Sequence, residues 1–135
     1  MGRLIGIDYG LKRTGIAVSD PLKLFASPLE TIPSNTLYQY LEQYIKDEEV
    51  DGIVIGMPID LKGRDTDSTK SVRTVIKNLK KKFPNIPVNE EDERFTSKMA
   101  LDAMIEGGSK KKDRQEKGNI DKISASIILQ SFMDK

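Results

Sequence analysis

Four short stretches of this chain carry residue types that can do chemistry. The first is Ile5-Gly6-Ile7-Asp8-Tyr9-Gly10-Leu11-Lys12-Arg13-Thr14-Gly15. Its carboxylate closes an apolar run, where an ionised group is costly unless it is paired or meets a cation. Gly10 permits a positive φ or the close approach of a ligand. Lys12 and Arg13 in the same turn offer counter-charge to a phosphate. An acid before a turn glycine is also an ordinary structural feature, so the stretch alone decides nothing. The second is Glu90-Glu91-Asp92-Glu93-Arg94-Phe95-Thr96-Ser97, which is either a solvated acidic loop or a set of carboxylates at a strand end, where sheets place their sites. The third, Lys117-Gly118-Asn119-Ile120-Asp121, opens the last helix. An acid there is favoured by the helix dipole, and taken singly Asp121 reads as structural. The fourth runs from Val54 to Pro58 into a polar loop with Lys62 and Arg64, basic side chains of the kind that touch a nucleic-acid backbone.

Composition narrows what these stretches can do. The chain has no Cys and no His among its 135 residues. Disulfides, thiolate nucleophiles, iron–sulfur clusters, Ser–His–Asp triads and histidine zinc sites are therefore excluded. Catalysis must run on carboxylates, Lys, Tyr, hydroxyls or a hard cation held by oxygen. The 22 basic and 21 acidic residues leave a net charge of +1, so placement matters more than the total. Lys77, Lys80, Lys81 and Lys82 form one basic group; Lys110, Lys111, Lys112, Arg114 and Lys117 form another. No apolar run approaches the roughly 20 residues of a membrane helix, and the first residues lack a signal peptide's apolar stretch, so a cytoplasmic location is expected. Aromatic residues are only 6%, too few for an extensive base-stacking platform.

The elements that must position these residues follow from periodicity. Leu4, Ile5 and Ile7 predict a first strand, Tyr9 to Arg13 a tight turn, and Gly15 to Ser19 an antiparallel second strand. A third strand is expected over residues 24–31, at an edge because it contains Pro28. Leu37, Leu41, Tyr44 and Ile45 mark a helix that Ser34 or Asn35 could cap. The continuous apolar run that follows Asp51 predicts a strand buried on both faces. Val72, Val75, Ile76 and Leu79 mark a second helix, and a short strand surrounds Val88. A third helix is expected from Thr96 to Gly107-Gly108, then a mobile loop over 108–118. Ile120, Ile123, Ile127, Ile128 and Phe132, widened by Ala125 and Leu129, form the apolar stripe of the last helix. The order βββαβαβαα gives an α/β domain spanning 1–135: a five-stranded mixed sheet with helices on both faces, the order of a ribonuclease H-like fold.

Taken together, IGIDYGLKRTGIAVSD, IVIGMPIDLKG, DERFTSKMA and KGNIDKISASIILQSF resemble the YqgF family of RuvX-like Holliday junction resolvases and pre-16S ribosomal RNA nucleases, over nearly the whole chain. The departures, Met57, Ser97 and Ile123, touch no ligand position. The resemblance implies a ribonuclease H-like nuclease whose catalytic and metal-binding acids are Asp8, Glu93 and Asp121. It selects Glu93 over Glu90 and Glu91, and it moves Asp121 from structural to functional. Oxygen ligands suit Mg²⁺ or Mn²⁺, and two ions about 3.5–4 Å apart can activate water and neutralise the departing oxygen. Asp8 would contact both ions, with Glu93 and Asp121 completing their shells. Lys12, Arg13, Lys110, Lys111, Lys112, Arg114 and Lys117 would hold the nucleic-acid backbone. The expected activity is metal-dependent endonucleolytic cleavage in ribosomal RNA precursor processing, with Holliday junction resolution as the alternative, by a monomer or homodimer. Two other classes share parts of the pattern. An actin-like ATPase also opens with D-x-G-x-x-x-x-G, though it needs two related domains, and a non-catalytic RNA-binding assembly factor could retain the acids.

Overall fold

Alternate residues of the first strand serve two different cores, because successive strand side chains point to opposite faces. Ile5 and Ile7 belong to one and Leu4 to the other. The computed structural model describes residues 2–58, 67–92 and 117–135. Its elements are β1 (Arg3–Tyr9), β2 (Arg13–Ser19), β3 (Ala26–Pro33), a 3₁₀ turn (Ser34–Thr36), α1 (Leu37–Asp47), β4 (Val50–Met57), α2 (Asp67–Lys82), β5 (Val88–Asp92) and α3 (Lys117–Met133). The strands form one five-stranded sheet in the order β3-β2-β1-β4-β5. The first three meander antiparallel, while β4 and β5 join parallel to β1. The expected helix over 96–107 lies outside the described residues, as does the expected loop over 108–118 except at its end, where Lys117 and Gly118 are already the first turn of α3.

On one face, Leu37 and Leu41 of α1 and Val72, Val75, Ile76 and Leu79 of α2 cover Ile5, Ile7, Ile53 and Ile55. On the other, Ala125, Ile128 and Leu129 of α3 cover Leu4, Ala17 and Val54. As the sequence predicts, β4 is buried on both sides, and β3 is an edge strand with a register shift near Pro28. No helix among the described residues is long and apolar enough to cross a membrane.

Three details differ from expectation, each for a local reason. The third strand begins two residues later, at Ala26, because the Asp20 carboxylate accepts the amides of Leu24 and Phe25, both at 2.8 Å, and fixes them in the turn. Helix α1 starts at Leu37 with no side-chain cap, because the Ser34 hydroxyl is engaged elsewhere. In α3, Ile120, Ile123 and Ile127 are only partly buried. The helix lies so close to the sheet at Gly6 that a Cβ there would sit 2.7 Å from Leu129 Cβ and 2.8 Å from the Ala125 carbonyl. Such close approach favours Ala125 over an isoleucine at the contact.

Candidate active site

Asp8 stands one residue from the end of β1, opposite Gly15 of β2. By alternation it shares a sheet face with Leu4 and Gly6, the face that α3 covers. The first turn of α3 rests on that same Gly15. A Cβ at Gly15 would overlap the Asp121 carbonyl and lie 2.8 Å from the Lys122 amide. One glycine thus neighbours two acid-bearing residues from opposite ends of the chain, Asp8 through strand pairing and Asp121 through its backbone. A side chain there would push the helix, and Asp121 with it, away from Asp8.

Asp121 has a partner. Arg13 Nε donates to its Oδ2 at 3.0 Å, with the two side chains 42% and 24% exposed. The pair is therefore only partly screened from solvent. Lys12 is exposed in the same turn.

That turn is held by a hydroxyl chain. Ser34 Oγ donates to the Gly10 carbonyl at 2.5 Å, so the hydrogen on the 2.8 Å contact between Ser34 and Thr14 comes from Thr14. The Ser34 amide also donates to the Lys12 carbonyl at 3.0 Å. Both hydroxyl side chains are buried. Ser34→Ala is expected to cost about 1–3 kcal/mol, because it strands the Thr14 hydroxyl away from water. Chemical denaturation checks this, and an unchanged midpoint would show the chain of bonds to be dispensable.

The acidic run belongs to a strand at its start, since β5 extends to Asp92. Glu91 is 5% exposed, its Oε1 lies 2.7 Å from Lys135 Nζ, and its Oε2 has no hydrogen-bond partner among the described residues. Among the described residues no three potential ligands cluster as a metal site. Of the expected three acids, Asp8 pairs with Gly15 across the strands and the Asp121 backbone rests on the same glycine. Glu93, Lys110, Lys111, Lys112, Arg114 and the Lys117 side chain lie outside the described residues. The sequence presents Thr14 and Gly15 only as parts of the first stretch, and Ser34 only as a possible helix cap. Gly15 was visible as the second glycine of D-x-G-x-x-x-x-G, whereas nothing local signals that Ser34 reaches back to Gly10.

Comparison with known proteins identifies the family and the fold. The profile of the family described as "RuvX: Holliday junction resolvase" matches residues 2–135. A protein of Amoebophilus asiaticus named "Putative pre-16S rRNA nuclease" is 47% identical, covering 98% of this chain and 94% of its own. A protein of the same name from Bacteroides fragilis is 46% identical, covering 99% and 97%. Among solved structures, the Fowlpox virus resolvase in complex with Holliday junction DNA aligns with a TM-score of 0.64 at 15% identity, covering 98% of this chain and 97% of the resolvase. The RuvC of T. thermophilus with its junction substrate aligns at 0.57 and 15% identity, covering 98% and 94%. These two structures establish the ribonuclease H-like fold, and the full-length sequence matches establish the family. The chain belongs to the RuvX family of Holliday-junction-resolvase-like nucleases.

Proposed function

We propose that this chain is a metal-dependent endonuclease that hydrolyses phosphodiester bonds in ribosomal RNA precursors, acting in the cytoplasm as a single domain. The observation that carries this reading is the placement of Asp8 and of the Asp121 backbone against the same Gly15, beside a basic turn. The donor set fits a hard cation: carboxylate oxygens suit Mg²⁺ or Mn²⁺, and the chain has no Cys or His to draw a softer metal. The Arg13 guanidinium on Asp121 shows that this carboxylate already attracts a cation. Asp8, Asp121 and Glu93 would hold the ion or ions, whose chemistry is to activate water and to neutralise charge building on the phosphate and the leaving oxygen.

The protein's part is to hold the acids and seat the substrate. Gly15 sets the distance between strand and helix, and the Ser34–Gly10 bond keeps the turn after Asp8 in one shape. Lys12, Arg13, Lys117 and the basic 110–114 segment contact backbone phosphates. The names of the 47% and 46% identical relatives favour a ribosomal RNA precursor. The resolvase description of the family favours branched DNA as the second reading.

A labelled RNA spanning a 16S precursor end and a labelled four-way DNA junction, each with Mg²⁺, Mn²⁺ or EDTA, separate the readings. Cleavage of the RNA at defined positions, lost in EDTA, is expected. Symmetric nicking of the junction alone would favour the resolvase reading, and binding without cleavage of either would make the chain an assembly factor.

A further inference from the structure

Arg13 opens β2 beside a turn suited to phosphate, yet its guanidinium is committed to a carboxylate, Asp121 Oδ2, at 3.0 Å. The backbone around it is fixed. Arg13 pairs with Pro33 and Thr14 with Ile32 in the β2–β3 ladder, the Ser34 amide holds the Lys12 carbonyl, and Ser34 Oγ holds Gly10. Any rearrangement must therefore come from the Arg13 side chain, which is 42% exposed and has solvent to swing into. Asp121 is the stationary partner, because its backbone rests directly on Gly15. A guanidinium and a divalent ion repel strongly at hydrogen-bond range, so they compete for this oxygen.

We propose that Arg13 is a resident counter-cation. It neutralises Asp121 while no metal is bound, and it passes to the nucleic-acid backbone when a divalent ion takes the carboxylate. This deepens the nuclease reading and rests on it, since it takes Asp121 to be a metal ligand. Arg13 is then a coupling residue rather than a catalytic one. The coupling is reciprocal: metal strengthens backbone binding by releasing the guanidinium, and backbone binding strengthens metal affinity by removing a competitor. A basic residue that only bound phosphate would affect metal affinity only through its long-range field, an effect that salt screens away. One that only oriented Asp121 would raise that affinity, so its loss would weaken metal binding.

Calorimetric titration of Mn²⁺ into the wild type, Arg13→Gln and Arg13→Lys, without nucleic acid, tests this. Arg13→Gln should bind Mn²⁺ about fivefold more tightly, the upper range for losing a partly exposed ion pair. Arg13→Lys, which keeps a competing charge, should stay close to the wild type. In parallel, binding of a short RNA hairpin with Ca²⁺ or with EDTA should show a several-fold gain on adding metal to the wild type. That gain should shrink in Arg13→Gln, with a shallower salt dependence. Equal or weaker Mn²⁺ binding by Arg13→Gln overturns the proposal while leaving the metal site standing. A wild type that takes up no Mn²⁺ overturns both.

Discussion

Asp8→Asn is expected to abolish metal-dependent cleavage while leaving the fold intact. The loss should be at least about a hundredfold, the low end of what a group acting in the transition state contributes. Asparagine keeps the size of the side chain and removes one of the two like charges proposed to share an ion, so melting in EDTA should change little. The response to metal is where wild type and mutant should part. An ion at about a hundred times its Kd adds about 2.7 kcal/mol to the stability of a protein that binds it. For a chain of this length that is a rise in Tm of roughly 10 °C. The wild type should show this with Mn²⁺ and Asp8→Asn should not. A purely structural Asp8 predicts the reverse: a mutant a few kcal/mol less stable in EDTA that still cleaves.

Gly15→Ala should have the second large effect, through position rather than charge. Its Cβ would run into the Asp121 carbonyl and the Lys122 amide, both backbone atoms that cannot turn aside. The first turn of α3 must lift, carrying Asp121 away from Asp8 and loosening the contact of Leu129 and Ala125 on the sheet. Overpacking of this kind costs about 1–3 kcal/mol, and more where backbone must move. Cleavage should fall well beyond what lost stability explains, measured at a temperature where the mutant is fully folded. A mutant that is destabilised yet cleaves at the wild-type rate would show that the spacing between strand and helix does not set the site.

The fold was legible because its signals are local and repeated. Continuous burial of Ile53 to Met57 was written in an unbroken apolar run, and the edge position of β3 in Pro28. The face of α3 was less legible. Its isoleucines form a periodic stripe, but the sheet-facing residues are chosen by how closely Gly6 and Gly15 let the helix approach, which is a property of two other strands. Asp121 shows the same difficulty more sharply. By its neighbours it is a first-turn acid favoured by the helix dipole, and family resemblance alone marked it otherwise. Its placement against Gly15 depends on a contact between α3 and β2 that no spacing in the sequence announces. The pairing of Arg13 with Asp121, and of Ser34 with Gly10, were hidden for that reason too: each joins residues far apart in the chain through side chains that have common local uses.

Asp8 and Asp121 are proposed to share a divalent ion. Anomalous diffraction from crystals soaked in Mn²⁺ tests it most directly. A peak is predicted within oxygen-coordination range, about 2.0–2.6 Å, of a carboxylate oxygen of both Asp8 and Asp121, with Glu93 as a further ligand and the Arg13 guanidinium moved off Asp121. Manganese bound elsewhere, or none between these two acids in crystals of a protein that cleaves RNA with Mn²⁺, would contradict it.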